Sequence, residues 1–277
     1  MKWEALKHRI QKAIADKKSE FHGYDFNEAL SILVRERFVA RAAHSAVSDS
    51  VILKGGLLLT ALYTKQSRFT MDTDLNLKNA EGLDSFRAAV DAIIKIDLED
   101  GFKFTRDEGQ IMDADSRLYD GARFQIHSTF GTSQKLTFTL DFGVGDIVTP
   151  LRSKLPILPE TTFSSVEMQV YPPETIAAEK LQTCVEKAEQ NSRMKDYYDL
   201  YFLRDIVDLE KFKTAAQKTF EHRGTQFPGQ LPNPAILQPR WNQFLKSSQQ
   251  RVIKSISKDL SEVMQVISEF YGAKGEP

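Results

Sequence analysis

The chain has 277 residues, of which 41% are hydrophobic and 27% charged, and its formal net charge is −1. This composition is typical of a globular protein with one large or two moderate domains, and it excludes fibrous and low-complexity classes. No apolar stretch approaches the roughly 18 residues of a membrane-spanning helix, and the N-terminal segment lacks the apolar core of a secretory signal. Cys184 is the only cysteine, which excludes an internal disulfide and a cysteine-based zinc cluster. We therefore expect a cytoplasmic protein with no membrane partner.

Charge is distributed unevenly along the chain. Residues 69–120 contain 13 acidic and 6 basic side chains, whereas residues 211–258 contain 9 basic side chains and a single acid, Glu221. Such a distribution favours cation binding by the first segment and polyanion binding by the second. The alternative interpretation is that both segments are ordinary solvated surfaces.

The first part of the chain alternates between helical and strand patterns. Asp25 and Glu28 have the spacing of a capping box and predict the start of a helix. Residues 71–77 alternate with period two, which puts Asp72 and Asp74 on one face of a strand and Met71 on the opposite, apolar face. The remaining patterns predict helices at residues 2–18, 57–63 and 86–96 and a strand at residues 51–53.

Two further alternating runs, at residues 122–130 and 136–142, predict an antiparallel hairpin. The polar sides of both runs would then share one face of the sheet. They comprise Arg123, Gln125, His127 and Thr129 in the first run and Thr137, Thr139 and Asp141 in the second.

Prolines between residues 150 and 159 mark the expected domain boundary. Beyond them the patterns predict helices at residues 174–189, 195–203, 209–221 and 241–271, with a loop at residues 224–239. The sequence therefore predicts an α+β fold. A core domain at residues 1–160 would hold a mixed or antiparallel sheet flanked by helices, and a mostly helical domain would follow at residues 161–277.

The strongest local pattern is a strand, Gly55-Gly56, a helix and then Asp72-x-Asp74 on a second strand. Two carboxylates on one strand face repel each other unless a cation lies between them, and oxygen ligands suit Mg²⁺ or Mn²⁺. The glycines allow close backbone approach, and the following helix offers free N–H groups to a phosphate. Asp141 is a candidate third carboxylate. Taken singly, each feature is also typical of a turn or an exposed strand.

A second pattern lies downstream, in the predicted helical half. Lys180 borders the apolar stripe of one helix, and Asp196 and Asp199 fall on an otherwise apolar face of the next. A lysine in that position either covers the core with its aliphatic stem or directs its ammonium group to phosphates. Acids on an apolar face are stable only if they are paired or functional. Ion pairs with Lys180, Arg193 or Lys195 are the structural alternative.

These residues also resemble a known family. Lys54-Gly55-Gly56 followed by Asp72-Thr73-Asp74 resembles the Gly-Gly and Asp-x-Asp pattern of the nucleotidyltransferase superfamily. Glu179-Lys180-Leu181 and the segment Ser192-Arg193-Met194-Lys195-Asp196-Tyr197-Tyr198-Asp199-Leu200 resemble the AbiEii/MenT nucleotidyltransferase toxins of toxin–antitoxin and phage-defence systems. The similarity extends over roughly residues 30–205, and it implies a nucleotidyltransferase-like core.

The resemblance implies a role for each matching residue. Asp72 and Asp74 would bind the catalytic metals, with Asp141 as the third carboxylate. Lys180 would contact the triphosphate and act in catalysis together with one acid of the downstream segment, for which we favour Asp196 over Asp199. The remaining nucleotide-binding positions implied in this way are Gly55, Gly56, Arg68, Thr70 and Asp199.

The sequence therefore predicts an enzyme that binds an NTP with Mg²⁺ or Mn²⁺ and transfers NMP to an RNA acceptor, releasing pyrophosphate. For the characterised relatives, the resemblance points to the 3′ end of tRNA, blocked translation and an antitoxin from a neighbouring gene. The basic segment 211–258, with its interleaved Phe220, Trp241 and Phe244, would hold RNA phosphates. Two alternatives stay open: a nucleotidyltransferase that modifies a protein or a small molecule, and an inert relative that only binds NTP or RNA.

Overall fold

The structure is a computed structural model that describes residues 2–19, 21–62, 68, 70–112, 121–131, 134–155, 163–247 and 256–273. Two compact units divide the chain. The first comprises Met1–Asp146 and Pro150–Val170, and the second comprises Ile147–Thr149 and Tyr171–Pro277. Each unit is described by itself below.

The first unit is built on a mixed sheet of eight described strands, in the order β3-β5-β6-β2-β1-β8-β7 with β4 beside β5. Parallel pairing joins β2 to β6 and β1 to β8, and the other neighbours are antiparallel. The strands are β1 (Val51–Lys54), β2 (Asp72–Leu77), β3 (Phe102–Arg106), β4 (Gln110–Met112), β5 (Gly121–Phe130), β6 (Gln134–Gly143), β7 (Leu151–Leu155) and β8 (Val166–Val170).

Helices pack against the apolar face of this sheet. Phe38 contacts the rings of Phe104 and Phe138, and Phe86 contacts Phe142. The predicted capping box is confirmed, because the Asp25 side chain accepts a hydrogen bond from the first turn and Glu28 accepts one from the Asp25 N–H. The helices are α1 (Trp3–Ala15), α2 (Phe26–His44), α3 (Gly55–Leu62) and α4 (Gly82–Ile94).

The predicted hairpin is confirmed in its strands and in its faces. Arg123 lies opposite Asp141, Gln125 opposite Thr139 and His127 opposite Thr137. Each pair is hydrogen-bonded across the two strands, and the intervening residues are in the core. The polar sides of β5 and β6 therefore form one continuous surface, as the alternation predicts.

The second unit is helical in its described residues. Its elements are α5 (Pro173–Lys187), a 3₁₀ turn (Ala188–Gln190), α6 (Met194–Leu203), α7 (Leu209–His222), α8 (Pro234–Ser247) and α9 (Leu260–Tyr271). The predicted single helix over residues 241–271 is wrong. The chain between residues 256 and 259 is not helical, and Asp259 starts α9 by accepting a hydrogen bond from the N–H of Ser261. Residues 248–255 lie outside the described part.

Other sequence expectations also need correction. The loop expected at residues 224–239 ends early, because Pro234 begins α8, where a missing N–H costs nothing. Met71 is 63% exposed instead of facing the core, because β2 begins only at Asp72. Strands β3, β4, β7 and β8 were not predicted; each has five residues or fewer. The alternation of β3 and β8 is present in the sequence but extends over only five residues. In the described residues no helix is long and apolar enough to cross a membrane.

Candidate active site

The predicted carboxylates lie on one side of the central strands. Asp72 and Asp74 lie two residues apart on β2 and therefore on the same face. Asp74 is the register partner of Asp141 on the parallel neighbour β6. Asp74 is also the partner of Lys54 on β1, and Asp141 that of Arg123 on β5. Directly opposed residues point to the same face of a sheet. We call this side of the sheet, which carries Asp72, Asp74 and Asp141, the carboxylate face.

The two glycines adjoin the carboxylate face at the start of α3. Gly55 has φ +71°, and a Cβ placed there would lie 1.9 Å from Oδ2 of Asp74. A Cβ on Gly56 would lie 2.7 Å from Oγ1 of Thr70. Because α3 begins at Gly55, the unpaired N–H groups of its first turn start beside Asp74. The structure thus brings together four of the predicted site residues, and the absence of a Cβ at both glycines makes this approach possible.

Lys54 and Asp146 belong to this surface and were not among the predicted site residues. Nζ of Lys54 lies 2.6 Å from Oδ2 of Asp146, and the Asn76 side chain donates to the same oxygen at 3.2 Å. Both charged side chains are largely buried, at 17% and 16% exposure. A signal for Lys54 exists in the sequence, because it directly precedes Gly55-Gly56. Asp146 gives no such signal, since it lies beyond the end of β6.

Asp141 is held by an arginine. Nε and Nη2 of Arg123 each donate to a different oxygen of Asp141, both at 2.7 Å. This bond, together with the nearby Asp72 and Asp74, raises the pKa of Arg123. Among the described residues, no three His, Cys, Asp or Glu side chains are grouped closely enough to hold a metal ion. Any cation on Asp141 would compete with Arg123 for its oxygens.

A second arginine lies behind β2, inside the unit. Arg35 on α2 is fully buried, and its Nη1 donates to the main-chain carbonyl of Asp72 at 3.3 Å. Its Nη2 has no hydrogen-bond partner in the described part of the chain. Burial lowers the pKa of Arg35 to about 10, although Asp72, Glu36 and Asp74 oppose this shift. Asp72 and Asp74 therefore help to stabilise the buried positive charge of Arg35.

The downstream residues form a separate cluster inside the second unit. Nζ of Lys180 lies 2.7 Å from Oδ1 of Asp196 and 2.7 Å from Oδ2 of Asp199, and Nε of Arg193 lies 2.8 Å from Asp196. Burial alone would raise the pKa of Asp196, but the two cations outweigh it and lower this pKa. The structural alternative of ion pairing is therefore realised, with Lys180 and Arg193 as the partners.

Comparison with known families now identifies the chain's relatives. The sequence matches the family described as nucleotidyl transferase AbiEii toxin, Type IV TA system, over residues 37–265. The chain belongs to the AbiEii toxin family. No curated protein matches it. The resemblance seen in the Gly-Gly, Asp-x-Asp and Glu-Lys patterns is confirmed at the level of the family, which implies a nucleotidyltransferase toxin with an NTP substrate and a cognate antitoxin.

AbiEii-type nucleotidyltransferases usually require a divalent metal, and the carboxylate face has a donor set that fits one. Asp72 and Asp74 supply oxygen ligands from adjacent positions on one face of β2, and hard divalent cations prefer such oxygens. The missing Cβ of Gly55 leaves the backbone in direct contact with Asp74. Arg68 and Thr70 precede β2, and the side chain of Thr70 covers Gly56.

Several basic side chains of segment 211–258 have partners within this AbiEii toxin. Lys213 pairs with Glu210, Arg223 with Glu179, and Arg240 donates to main-chain carbonyl groups. Phe220 and Trp241 are at most 1% exposed, so they belong to the core and are not available to stack on bases. Lys246 lies in the last turn of α8, and Arg251 and Lys254 lie outside the described residues.

Proposed function

We propose that this AbiEii toxin binds an NTP with Mg²⁺ or Mn²⁺ on the carboxylate face and transfers NMP to an RNA acceptor, the 3′ end of tRNA. One observation carries this proposal: Asp72 and Asp74 share a strand face beside the N-terminus of α3, and Gly55 lets the backbone approach the Asp74 carboxylate. This arrangement combines oxygen ligands for a cation with N–H donors for phosphates.

In the reaction, an acceptor hydroxyl oxygen forms a bond to the α-phosphorus of the NTP. The bond from that phosphorus to the bridging oxygen of the β-phosphate breaks, pyrophosphate leaves, and the hydroxyl proton passes to solvent. A cation held by Asp72 and Asp74 supplies, when bound, electrostatic stabilisation of the phosphoryl oxygens. The N–H groups after Gly55 bind phosphate oxygens at the positive end of α3, and Thr70 and Arg68 flank the nucleotide.

Lys180 and Asp196 have proposed roles as well. Lys180 would neutralise the departing phosphates, with Asp196 rather than Asp199 completing the site. Because Lys180 is bonded to both acids, its ammonium group would have to exchange one of these partners for a phosphate. Lys180→Ala should then raise KM for NTP and lower kcat. Unchanged kinetics would make the cluster purely structural.

The test is transfer of label from an α-labelled NTP to total tRNA in Mg²⁺. Asp72→Asn and Asp74→Asn keep the size of each side chain and remove a negative charge, so we expect near-complete loss of transfer with little change in Tm. The matched control is Asp84→Asn, an exposed carboxylate on α4. Transfer by either site variant at the wild-type rate would refute the metal assignment.

The same assay separates the alternatives. If label is transferred to a protein or a small molecule and not to tRNA, the acceptor belongs to another class. Absence of Mg-NTP binding in calorimetry would instead indicate an inert relative. Relief of the chain's toxicity by the co-expressed product of the adjacent gene tests for the antitoxin that the family implies.

A further inference from the structure

Arg123 forms a bidentate pair with Asp141 on the carboxylate face. Two of the guanidinium nitrogens are bonded to Asp141, and Arg123 has no other hydrogen-bond partner among the described residues. Its side chain is 44% exposed, whereas that of Asp141 is 16% exposed. The Asp141 carboxylate is therefore largely buried, whereas the Arg123 guanidinium group is accessible to solvent. The N–H groups of Nη1 can then bind another anion.

Asp141 is better suited to hold an arginine than to hold a metal. Both of its oxygens are used by Arg123, and it joins no group of three potential metal ligands in the described residues. Asp141 is only 16% exposed, and leaving a largely buried carboxylate without its partner costs more than leaving an exposed one. We therefore assign Asp141 to Arg123 rather than to a cation shared with Asp72 and Asp74.

The position of Arg123 in the sheet indicates that it lies on the side from which the acceptor approaches. Lys54 and Gly55 lie on the β1 side of Asp74, whereas Arg123 lies on the β5 side, beyond β6. Attacking and leaving groups lie on opposite sides of the phosphorus in an in-line displacement. If phosphates of the leaving group bind near Gly55, the acceptor approaches across β6 and β5.

The surface that leads away from Arg123 is polar and basic. Beyond Gln125 and His127, the row Lys103–Thr129–Lys135 crosses β3, β5 and β6 on the same face. Both lysines are exposed. The row lies six residues along β5 from Arg123, a distance of roughly 20 Å at the usual rise of a strand. Basic side chains thus occur at both ends of an exposed polar strip within an otherwise acidic segment, which suits a phosphate backbone.

Resting on the proposed function, we propose that Arg123 binds a phosphate of the RNA acceptor on the β5–β6 side of the carboxylate face. Asp141 acts through Arg123 as a positioning residue and is not the third metal ligand. The planar guanidinium group, fixed on one edge by Asp141, presents its other edge to phosphate oxygens.

The first experiment measures steady-state transfer with total tRNA and NTP varied separately. Arg123→Ala should raise KM for tRNA about tenfold or more, the effect of one lost charge-assisted hydrogen bond, and leave KM for NTP within about twofold. Arg123→Lys keeps the positive charge but loses the planar guanidinium group that binds in a bidentate way. Its KM for tRNA should therefore lie between those of the wild type and Arg123→Ala. A raised KM for NTP with an unchanged KM for tRNA would overturn the assignment, as would unchanged values for both.

The matched control is Arg106→Ala. Arg106 makes the same bidentate pair, with Asp91 at 2.7 and 2.8 Å, but it packs over Phe124 on the opposite, helix-covered side of the sheet. Its loss should lower Tm and leave both KM values unchanged. Circular dichroism of all variants separates loss of fold from loss of binding.

The second experiment tests how Asp141 acts. Asp141→Asn should raise KM for tRNA in the wild-type background. In the Arg123→Ala background it should change this KM by less than about twofold, because the effects of residues that act through one contact are not additive. Binding of Mn²⁺ with NTP, measured by electron paramagnetic resonance, should survive Asp141→Asn and be lost in Asp72→Asn. Loss of Mn²⁺ binding in Asp141→Asn would make this residue a metal ligand and refute the proposal.

A binding measurement keeps this inference separate from the proposed function. The slope of log affinity for tRNA against log salt should become shallower by about one unit or less in Arg123→Ala. If the wild-type chain modifies no RNA, the proposed function fails, and this slope still decides the role of Arg123. An identical slope in wild type and variant would overturn the inference alone.

Discussion

Gly55 is subject to two independent constraints, and both predict the effect of adding one methyl group. Its φ of +71° disfavours any other residue by about 1–2 kcal/mol, and a Cβ would lie 1.9 Å from Asp74. We expect Gly55→Ala to lower Tm and to abolish transfer by displacing Asp74. Gly23→Ala is the control, because Gly23 has φ +77° and no atom within 4 Å of a Cβ. A Gly55 variant no worse than the Gly23 variant would refute the steric argument.

Glu36 gives the stability of the protein a predictable pH dependence. Burial raises the pKa of Glu36 well above 4.5, against the opposing effect of Arg37 and Arg35. Because the native state then binds the proton more tightly than the unfolded state, stability is lost as pH rises above about 4.5 towards the native pKa. Glu36→Gln should remove this loss, and its advantage should grow by up to about 1.4 kcal/mol per pH unit. Urea unfolding of both proteins from pH 4 to pH 8 checks this, and parallel curves would contradict it.

Lys180 carries a stability prediction that is independent of its proposed kinetic role. Its ammonium group is bonded to two buried carboxylates, and removing one member of such a cluster typically costs about 3–5 kcal/mol. We expect Lys180→Ala to lower the free energy of unfolding by that order. Lys187→Ala on the same helix should change it by less than about 0.5 kcal/mol. Equal effects of the two substitutions would mean that the cluster contributes no stability.

At the scale of elements, β2 has two faces with opposite requirements. Asp72 and Asp74 serve the carboxylate face, whereas Thr73 between them is fully buried and its Oγ1 has no partner in the described part. Thr73→Val should therefore stabilise the protein by about 1 kcal/mol, because an unsatisfied buried hydroxyl is removed. Thr60→Val should do the reverse, since the Thr60 hydroxyl donates to the carbonyl of Gly56. Chemical denaturation measures both, and a loss of stability in Thr73→Val would refute this reasoning.

The elements that sequence patterns predicted well are those with a single strong period. The alternating runs at residues 122–130 and 136–142 occupy most of the ten-residue strands β5 and β6, so both their pairing and their polar side could be predicted. The start of helix α2 was predicted from its capping box, but 14 of its 19 residues are buried, including Arg35, Glu36 and Arg37. Periodicity could not reveal this, because charged residues break the apolar pattern even where they lie inside.

In the candidate site, the face on which a residue lies could be predicted from the sequence, but the register between distant strands could not. Alternation correctly put Asp72 and Asp74 together and Asp141 on the polar side of its own strand. It could not show that Asp141 lies between Asp74 and Arg123, because pairing between distant strands depends on tertiary packing. For the same reason, the pairing of Lys54 with Asp146 could be found only from the structure.

For the whole molecule, membership of a toxin family predicts an effect on cells. Expression of the wild-type chain should arrest growth, because a nucleotidyltransferase toxin acts on a shared cellular component. Asp74→Asn should relieve the arrest at equal protein level, and co-expression of the adjacent gene should relieve it for the wild type. Colony counts after induction give the readout. Arrest by the Asp74 variant would separate toxicity from nucleotidyl transfer.

The order of strands in the sheet also has a consequence during synthesis of the protein. The strand that bears Asp72 and Asp74 pairs with β6, and its other neighbour β1 is completed by β8. Strands β6 and β8 leave the ribosome long after β2, because synthesis proceeds at roughly 5–20 residues per second. A nascent chain therefore carries both carboxylates for several seconds with β1 already made but without β6 and β8. The carboxylate face is therefore assembled only after β6, which bears Asp141, has been made.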